Sequence, residues 1–214
     1  MSKLDFWKQL IEDRKQTVAW DLSKELPVET INEILQEVHR RAPVKQNRVH
    51  YQISIVDFSD PEFRNTYYEF CVDRDNPDPQ YNSQVLAHYL LVFSYRDPGE
   101  FAAEFCGRSR NSSEKLSHIE IGLAADFIVH AAAARDLSCG FCRCYDFNYK
   151  PDIIMNKLGL AEIGDIFLTI GIGHGSNETK TFNPFTNKFV EAPDDPKWLL
   201  EPKPDMTKYI KYIQ

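Results

Sequence analysis

The sequence predicts one domain in which helices pack around a buried sheet, and three features predict it. The helix predicted from Ser117 onward is apolar on nearly every side over 121–134, where it is interrupted only by Asp126 and His130. Such a helix is either buried or membrane-spanning, and its apolar stretch is shorter than the roughly 20 residues a span needs. Val85–Tyr95 and Ile166–Gly173 are apolar runs typical of buried strands. A chain of 214 residues with 43% hydrophobic residues suits one domain of ordinary size.

The N-terminal third of the chain shows two helices and one strand. Leu4–Arg14 has the apolar spacing of a helix, and its end is basic. Pro27 stands at a favourable helix start, and the second helix runs to the Arg40-Arg41 pair before Pro43. Tyr51–Phe58 alternates between apolar and polar residues, which predicts a strand.

The remaining segments are predicted as shorter elements and loops. We expect a third helix after Pro61, and the sequence shows no internal repeat or linker, so residues 1–214 form one domain. The C-terminal segment 193–214 has too little apolar content for a domain and is interpreted as an arm that lies on a surface. The other predictions are a loop at Asp73–Tyr81, a short helix at Glu100–Arg110, a mobile polar segment at Asn111–Ser113, a strand-like segment at Leu137–Cys144 and a short helix at Ile153–Lys157.

Net charge and cysteine content bound the possible partners and the compartment. The formal charge of −7 and a pI near 5.4 argue against nucleic acid or an anionic membrane as general partners. A small basic cluster can still act locally, because salt screens charges over about 8 Å. The N-terminus resembles no targeting peptide. Five cysteines without a secretory signal predict reduced thiols and a cytoplasmic protein.

Two motifs suggest a metal site and a phosphate-binding loop, but each lacks part of the required pattern. Cys139, Cys142 and Cys144 invite a metal site, but structural zinc usually has four ligands in two spaced pairs. Small buried residues on a strand are the favoured interpretation, and a small metal module remains a third hypothesis. Gly171, Gly173 and Gly175 resemble a phosphate loop, yet no helix pattern follows them, as a dinucleotide fingerprint requires.

Two basic segments are the most informative for function. Arg14-Lys15-Gln16 can cradle a phosphate through a planar guanidinium and an ammonium group. In Pro43–Arg48, Lys45 and Asn47 offer a charge and an amide to the polar edge of a ring. Taken singly, each segment also fits a solvated helix end or turn.

In order along the chain, these pieces resemble the FMN-dependent nitroreductase family. The family begins with a helix ending in R-R-S-x-R-x-F, followed by a P-V turn, a helix and a P-S-x-x-N-x-Q-P-W loop. Later come an Ala-rich helix, a L-G-L-G-x-x-W segment, a L-G-L turn and a strand ending I-G-x-G. The matching segments here are Arg14–Trp20, Pro27-Val28, Pro43–Tyr51, Ile121–Leu137, Ser138–Phe141, Leu158-Gly159-Leu160 and Ile170–Gly173.

The resemblance implies an α+β fold with a mixed, mainly antiparallel sheet, in an intertwined homodimer that holds FMN at its interface. It implies an FMN-dependent oxidoreductase that passes electrons from NADH or NADPH to a nitroaromatic, a quinone or a similar small acceptor. No catalytic side chain is required, because the flavin carries the chemistry, and Asp73–Ser113 is expected to form a lid. The implied cofactor-binding residues are Arg14, Lys15, Gln16, Lys45, Asn47, Cys139, Gly140, Phe141 and Lys180.

Four positions depart from the family motifs. Gln16 replaces a serine, Val18 an arginine, Val44 a serine and Val49 a glutamine. The three valines lack the polar groups of the family residues, and Gln16 has an amide in place of the serine hydroxyl, so the resemblance implies weaker contacts to phosphate and flavin. The alternative hypothesis is therefore a catalytically inactive protein that keeps the fold for binding or scaffolding.

Overall fold

The structure is a computed structural model of the chain, and it describes residues 2–13, 17, 19–44, 49–62, 86–96, 110–142, 156, 166–176, 180–183 and 188–191. All structural statements below concern these residues. Within them the chain forms three long helices, a four-stranded sheet and a separate hairpin.

The helices are α1 (Lys3–Asp13), α2 (Val28–Arg41) and α3 (Arg110–Ala133). The Ser2 hydroxyl accepts a hydrogen bond from the backbone N–H of Asp5, and the Asp5 carboxylate accepts one in return from the backbone N–H of Ser2, both at 3.1 Å. This reciprocal pair satisfies N–H groups that helix geometry leaves without partners. Pro27, with φ −64°, is the N-cap of α2 as the sequence predicts.

The main sheet consists of β1 (Tyr51–Asp57), β2 (Tyr89–Tyr95), β3 (Ser138–Cys142) and β4 (Ile166–Gly173). The strand order is β1-β2-β4-β3, and every neighbouring pair is antiparallel. β5 (Lys180–Asn183) and β6 (Lys188–Glu191) form the hairpin, which the sequence analysis did not predict. The α+β class is confirmed.

The core lies between α2, α3 and one face of the sheet. Ile128 on α3 is fully buried, and so is Leu91 on β2, a central strand. Residues 90–94 of β2 are all fully buried, so both faces of this strand are covered. Because α3 contacts all four strands and α2, it holds the layers together, as its apolar sequence predicts.

Several element boundaries differ from the sequence predictions. Asn111–Ser113 is not a mobile segment but the first turn of α3, because the helix begins at Arg110. The strand predicted from Val85 begins only at Tyr89. The predicted helix after Pro61 is described only at Pro61 and Glu62, which are helical. The Asp73–Tyr81 loop, almost all of the two short helices and the 193–214 arm lie outside the described residues. Of the predicted lid, 86–96 and 110–113 are described; they contain the buried central strand β2 and the first turn of α3, so these parts of the segment are not a lid.

One described helix segment, Lys115–Ala133, is long and apolar enough to cross a membrane by length and composition. The sequence argument that this stretch is too short for a span was therefore wrong. In the structure, 44% of the segment is buried inside the protein, where it packs against the sheet and α2. A core helix passes the same test, and the contacts of this helix with all four strands and with α2 support that interpretation.

Candidate functional site

The segment that follows the basic cluster lies against the outer edge of β3. The backbone N–H of Thr17 donates a 3.0 Å hydrogen bond to the carbonyl oxygen of Cys139. Arg14, Lys15 and Gln16 fill the gap between the end of α1 and Thr17, and they lie outside the described residues. The bond therefore connects Cys139, the first predicted ring-contacting residue of β3, with the residue that follows the predicted phosphate-binding segment.

This junction continues as a short antiparallel pairing with the chain after β4. Trp20 pairs with Gly175, and the backbone N–H of Ser176 donates to the carbonyl of Ala19 at 3.0 Å. A side chain on Gly175 would place its Cβ 2.5 Å from the Ser138 hydroxyl oxygen and 3.4 Å from a methyl group of Thr17. A glycine is needed here because three chain segments meet at the site.

Three side chains hold the linker between this junction and α2. His88 Nε2 lies 2.8 Å from the carbonyl oxygen of Lys24, and His174 Nε2 lies 3.3 Å from that of Glu25. The Tyr89 hydroxyl donates to the carbonyl of Leu26 at 2.8 Å. Because carbonyl oxygens only accept, both imidazole rings carry a hydrogen on Nε2. The donors come from the chain at the start of β2 and just after β4, so the linker is fixed to the end of the sheet.

Within β3, the predicted ring-contacting residues point in different directions. Cys139 is buried in the core beside α3, and burial raises the pKa of its thiol to about 12. Phe141 is partly buried against the same core, and Gly140 faces the opposite side of the sheet. Cys139 can therefore contribute only its backbone to a ligand at the β3 edge.

The strand geometry also separates the cysteines of the metal hypothesis. Cys139 and Cys142 are three residues apart in one strand, so their side chains lie on opposite faces of the sheet. Both are buried free cysteines. No group of three or more potential metal ligands occurs among the described residues.

The second predicted segment, Lys45–Arg48, lies outside the described residues, but both of its ends are fixed. Val44 and Val49 are partly buried and pack against the core. The carbonyl of Val49 accepts a 3.1 Å hydrogen bond from the guanidinium group of Arg96. The sequence analysis placed these valines where the family has polar residues, and the structure uses them for packing.

A buried ionisable pair follows directly after Val49. His50 Nδ1 lies 3.0 and 3.1 Å from the two carboxylate oxygens of Glu120 on α3, and the His50 backbone N–H donates to the same carboxylate at 3.0 Å. The Ser117 hydroxyl donates to the His50 carbonyl at 2.7 Å. All three residues are buried. The sequence analysis missed this cluster because its members are 67 to 70 positions apart.

The two basic segments are anchored at opposite edges of the main sheet. Thr17 lies beside β3, whereas Val49 leads into β1. Three strand spacings separate these edges, which is roughly 14 Å. Lys180, the last predicted site residue, begins β5, where the structure describes the backbone alone. The described residues do not bring the whole predicted set together at one place in a single chain.

Comparison with known proteins identifies the fold. No protein-family model matches the chain, and no curated protein matches it. Solved structures do match, and they show that the chain has the nitroreductase fold, the fold of a class of oxidoreductases.

Particular neighbours match over almost the full length of both chains. A Staphylococcus epidermidis protein assigned as an NAD(P)H:FMN oxidoreductase aligns with a TM-score of 0.68 and 16% identity, covering 100% of this chain and 98% of its own. The nitroreductase CinD from Lactococcus lactis, solved with nicotinic acid, aligns with a TM-score of 0.66 and 12% identity, covering 97% and 100%. A nitroreductase-like protein from Streptococcus mutans aligns with a TM-score of 0.64 and 11% identity, covering 99% and 100%.

Proposed function

We propose that this protein is an FMN-dependent oxidoreductase that transfers electrons from NADH or NADPH to a small organic acceptor such as a nitroaromatic or a quinone. The observation that carries the proposal is the Thr17–Cys139 hydrogen bond within a nitroreductase fold. It places Thr17, the residue that follows the basic segment Arg14–Gln16, next to Cys139 in β3. This supports the proposal because a bound FMN needs a phosphate site and a ring site side by side. The bound flavin would supply the redox chemistry, accepting electrons from the nicotinamide and passing them to the acceptor.

The chain's own residues would bind and orient the cofactor. Arg14 and Lys15 would hold the phosphate, with Gln16 beside the ribityl chain. Lys45 and Asn47 would contact the polar edge of the ring, where a cation stabilises negative charge on the reduced flavin. Gly140 and Phe141 would line the ring, Cys139 would contribute its backbone, and Lys180 would complete the phosphate site.

The proposal includes a homodimer with one site at each side of its interface. Two copies would allow the β3 edge of one chain and the Lys45–Arg48 segment of its partner to meet. Within one chain, Val49, which follows that segment, leads into β1 at the sheet edge opposite β3. α1 leaves Leu4, Phe6, Trp7 and Ile11 exposed by 43–60%, and α3 leaves Ile119 60% exposed. Apolar side chains on neighbouring helices are typical of a surface that another protein covers.

A second candidate is a binding or scaffolding protein that has the fold without the flavin. Val44 and Val49 favour it, because both pack against the core where the family motif has side chains that contact the cofactor. Burial of the Cys139 side chain reduces the available ring contacts further. In this case the dimer would form, but no flavin would bind.

The test is the visible absorbance spectrum of the purified protein before and after incubation with FMN and removal of unbound flavin. The proposal expects about one retained flavin per chain and bleaching of its band when NADH or NADPH is added without oxygen. A colourless protein that cannot be reconstituted would exclude the oxidoreductase and support the scaffolding role.

A matched pair of variants tests the phosphate assignment. Arg14→Ala should weaken FMN binding at least tenfold, because a charge-assisted contact contributes more than about 1.4 kcal/mol. Lys211→Ala removes one positive charge from the C-terminal segment and should leave affinity unchanged. Equal affinities in the two variants would contradict the assignment of Arg14.

A further inference from the structure

A groove lies between α2 and the sheet edge that β1 forms, and none of the described residues lining it is assigned to the flavin. Its volume is about 290 Å³. Its apolar lining comes from α2, from β1 and from the residue before His50, and consists of Leu35, Val38, Val49 and Ile53. Because ligand pockets usually measure about 300–1,000 Å³, a groove of this size suits a small ligand with one ring.

Tyr51 contributes a buried side chain with a polar group to the lining of this groove. The residue is 6% exposed, and its hydroxyl forms no hydrogen bond within the part of the chain that the structure describes. A tyrosine buried to this extent usually has a partner for its hydroxyl. Burial, and then the charge of Glu120, raise the pKa of the hydroxyl to about 12, so it stays protonated and can donate to an acceptor bound in the groove.

Arg96 holds a guanidinium group at the solvent-exposed rim of the groove. The group donates a 3.1 Å hydrogen bond to the Val49 carbonyl, and both residues line the groove. The ion pairs formed among the described residues do not include Arg96. A guanidinium has several N–H donors in one plane and matches the two oxygens of a carboxylate. Its remaining donors are therefore suited to a carboxylate ligand.

The charge along the groove favours an anion, although the whole chain has a formal charge of −7. The described lining contains Arg96 and His39 but no acidic side chain. Glu120 does not belong to this lining, and its carboxylate is bonded to His50 at 3.0 Å, so it does not compete for Arg96. A local positive charge of this kind attracts a negatively charged ligand and repels a cation.

We propose that this groove binds a small aromatic carboxylate. The ring would lie among the apolar side chains of α2 and β1, and the carboxylate would accept hydrogen bonds from Arg96 and Tyr51. The apolar walls with two donors correspond to the usual composition of a small-molecule site. The site does not require the proposed flavin function, because no residue used in this argument is assigned to the flavin.

The probe for this site is para-fluorobenzoate, whose fluorine NMR line broadens when it binds to the protein. We expect a dissociation constant on the order of 1 mM or below, as suits a ligand of this size. The uncharged para-fluorobenzyl alcohol should bind roughly tenfold more weakly, and the cationic para-fluorobenzylamine more weakly still. Equal binding of the amine and the carboxylate, or no broadening of the carboxylate line at several times the expected concentration, would overturn the proposal.

A matched pair of arginine variants tests the position of the bound carboxylate. Arg96→Gln removes the guanidinium group and should weaken para-fluorobenzoate binding roughly tenfold. Arg135→Gln is the control, because Arg135 also donates a 3.1 Å hydrogen bond to a backbone carbonyl but is not among the residues described as lining the groove. Its affinity for the probe should be unchanged. Equal affinities in the two folded variants would overturn the proposal.

A milder substitution covers the case in which Arg96→Gln does not fold. Tyr51→Phe keeps the buried ring and removes only the hydroxyl, and it should weaken para-fluorobenzoate binding severalfold. In that case, natural affinity in Tyr51→Phe would overturn the proposal.

Addition of FMN distinguishes this groove from the flavin site. Saturating FMN should leave the broadening of the para-fluorobenzoate line unchanged. Displacement of the probe by FMN would place the carboxylate in the flavin site and overturn the proposal. If the protein binds no FMN, the proposed function fails, whereas the Arg96 and Tyr51 variants still decide whether the groove binds the carboxylate.

Discussion

Two buried side chains carry protons that the folded protein holds more tightly than the unfolded chain does. Burial raises the pKa of the Cys139 thiol from 9.0 to about 12. Burial, and then the negative charge of Glu120, raise the pKa of the Tyr51 hydroxyl from 10.0 to about 12. Both groups are neutral and uncharged in the fold throughout the physiological range, so neither supplies a reactive anion to the candidate site.

These two groups predict a loss of stability in alkali. Between pH 9 and 12 for Cys139, and between pH 10 and 12 for Tyr51, the unfolded chain releases a proton that the folded protein retains. The free energy of unfolding therefore falls with rising pH, by roughly 1.4 kcal/mol per pH unit for each group within its range. Below pH 9 the effect is absent. Urea unfolding at a series of pH values measures it. Cys139→Ala and Tyr51→Phe should each make the slope shallower, and an unchanged slope in both variants would refute the assignment.

A side chain added at Gly175 tests how closely the chain segments pack at the candidate site. Gly175→Ala would push its new Cβ into Ser138 beside the Thr17–Cys139 junction, where the Ser138 Cβ would be only 3.1 Å away. We expect a loss of about 1–3 kcal/mol in the free energy of unfolding, the usual cost of overpacking, together with weaker FMN binding.

Gly122 offers the contrasting position for that experiment. A Cβ on Gly122 would have no atom within 4 Å, and alanine favours a helix over glycine by roughly 1 kcal/mol. Gly122→Ala should therefore not destabilise the isolated chain. If Gly175→Ala proves equally harmless in urea unfolding, the three segments do not meet as closely as described.

At the scale of elements, the end of α3 shows how one strained residue directs the chain into the candidate site. Asp136 has φ 56°, a left-handed conformation that suits glycine. The backbone N–H of Asp136 donates to Ala133, and that of Leu137 donates to Ala132. This pattern ends the helix and turns the chain directly into β3.

Asp136→Gly should therefore stabilise the protein by about 0.5–1 kcal/mol, because glycine adopts this conformation without steric cost. Asp136→Ala serves as the control, since it removes the same carboxylate but keeps the Cβ, and it should bring no gain. Thermal unfolding of the three proteins measures the difference. A gain in the alanine variant would show that the carboxylate, rather than the backbone conformation, is unfavourable.

For the molecule as a whole, α1 and α3 expose large apolar side chains to solvent when the chain is alone. Trp7 is 48% exposed while its ring contacts that of His130 on α3, with 5.1 Å between ring centroids. The two helices therefore present one joint surface. A second copy of the chain is the occupant we propose, since it would also bring the two halves of the flavin site together.

A charge introduced on this surface should dissociate the proposed dimer. Leu123 is 38% exposed on α3, so Leu123→Lys should be tolerated by the folded chain but would bury an unpaired charge in a dimer. We expect sedimentation to show a monomer and FMN retention to be lost. Glu33→Lys on an exposed position of α2 is a control for the added charge and should leave both properties unchanged. A Leu123→Lys protein that remains dimeric would place the interface elsewhere.

Elements with regular apolar spacing could be predicted from the amino-acid sequence alone. α2 was predictable because its buried stripe and Pro27 agree, and β4 because eight residues in succession suit a buried strand. The motif order also predicted the fold class. The start of α3 was not predictable, because Asn111–Ser113 has poor helix propensity and is helical only as the extension of a helix that the core stabilises.

Contacts between residues that are distant in the sequence could be read from the folded chain but not from the sequence. Sequence spacing does not predict that His50 bonds to Glu120, 70 positions later, or that Thr17 bonds to Cys139. Both contacts depend on strand order and on where α3 crosses the sheet. The tertiary structure also decided that Cys139 and Cys142 face opposite ways and that Val44 and Val49 pack inward. Local sequence sets which segments become helix or strand, whereas the burial of apolar area fixes how those segments come together.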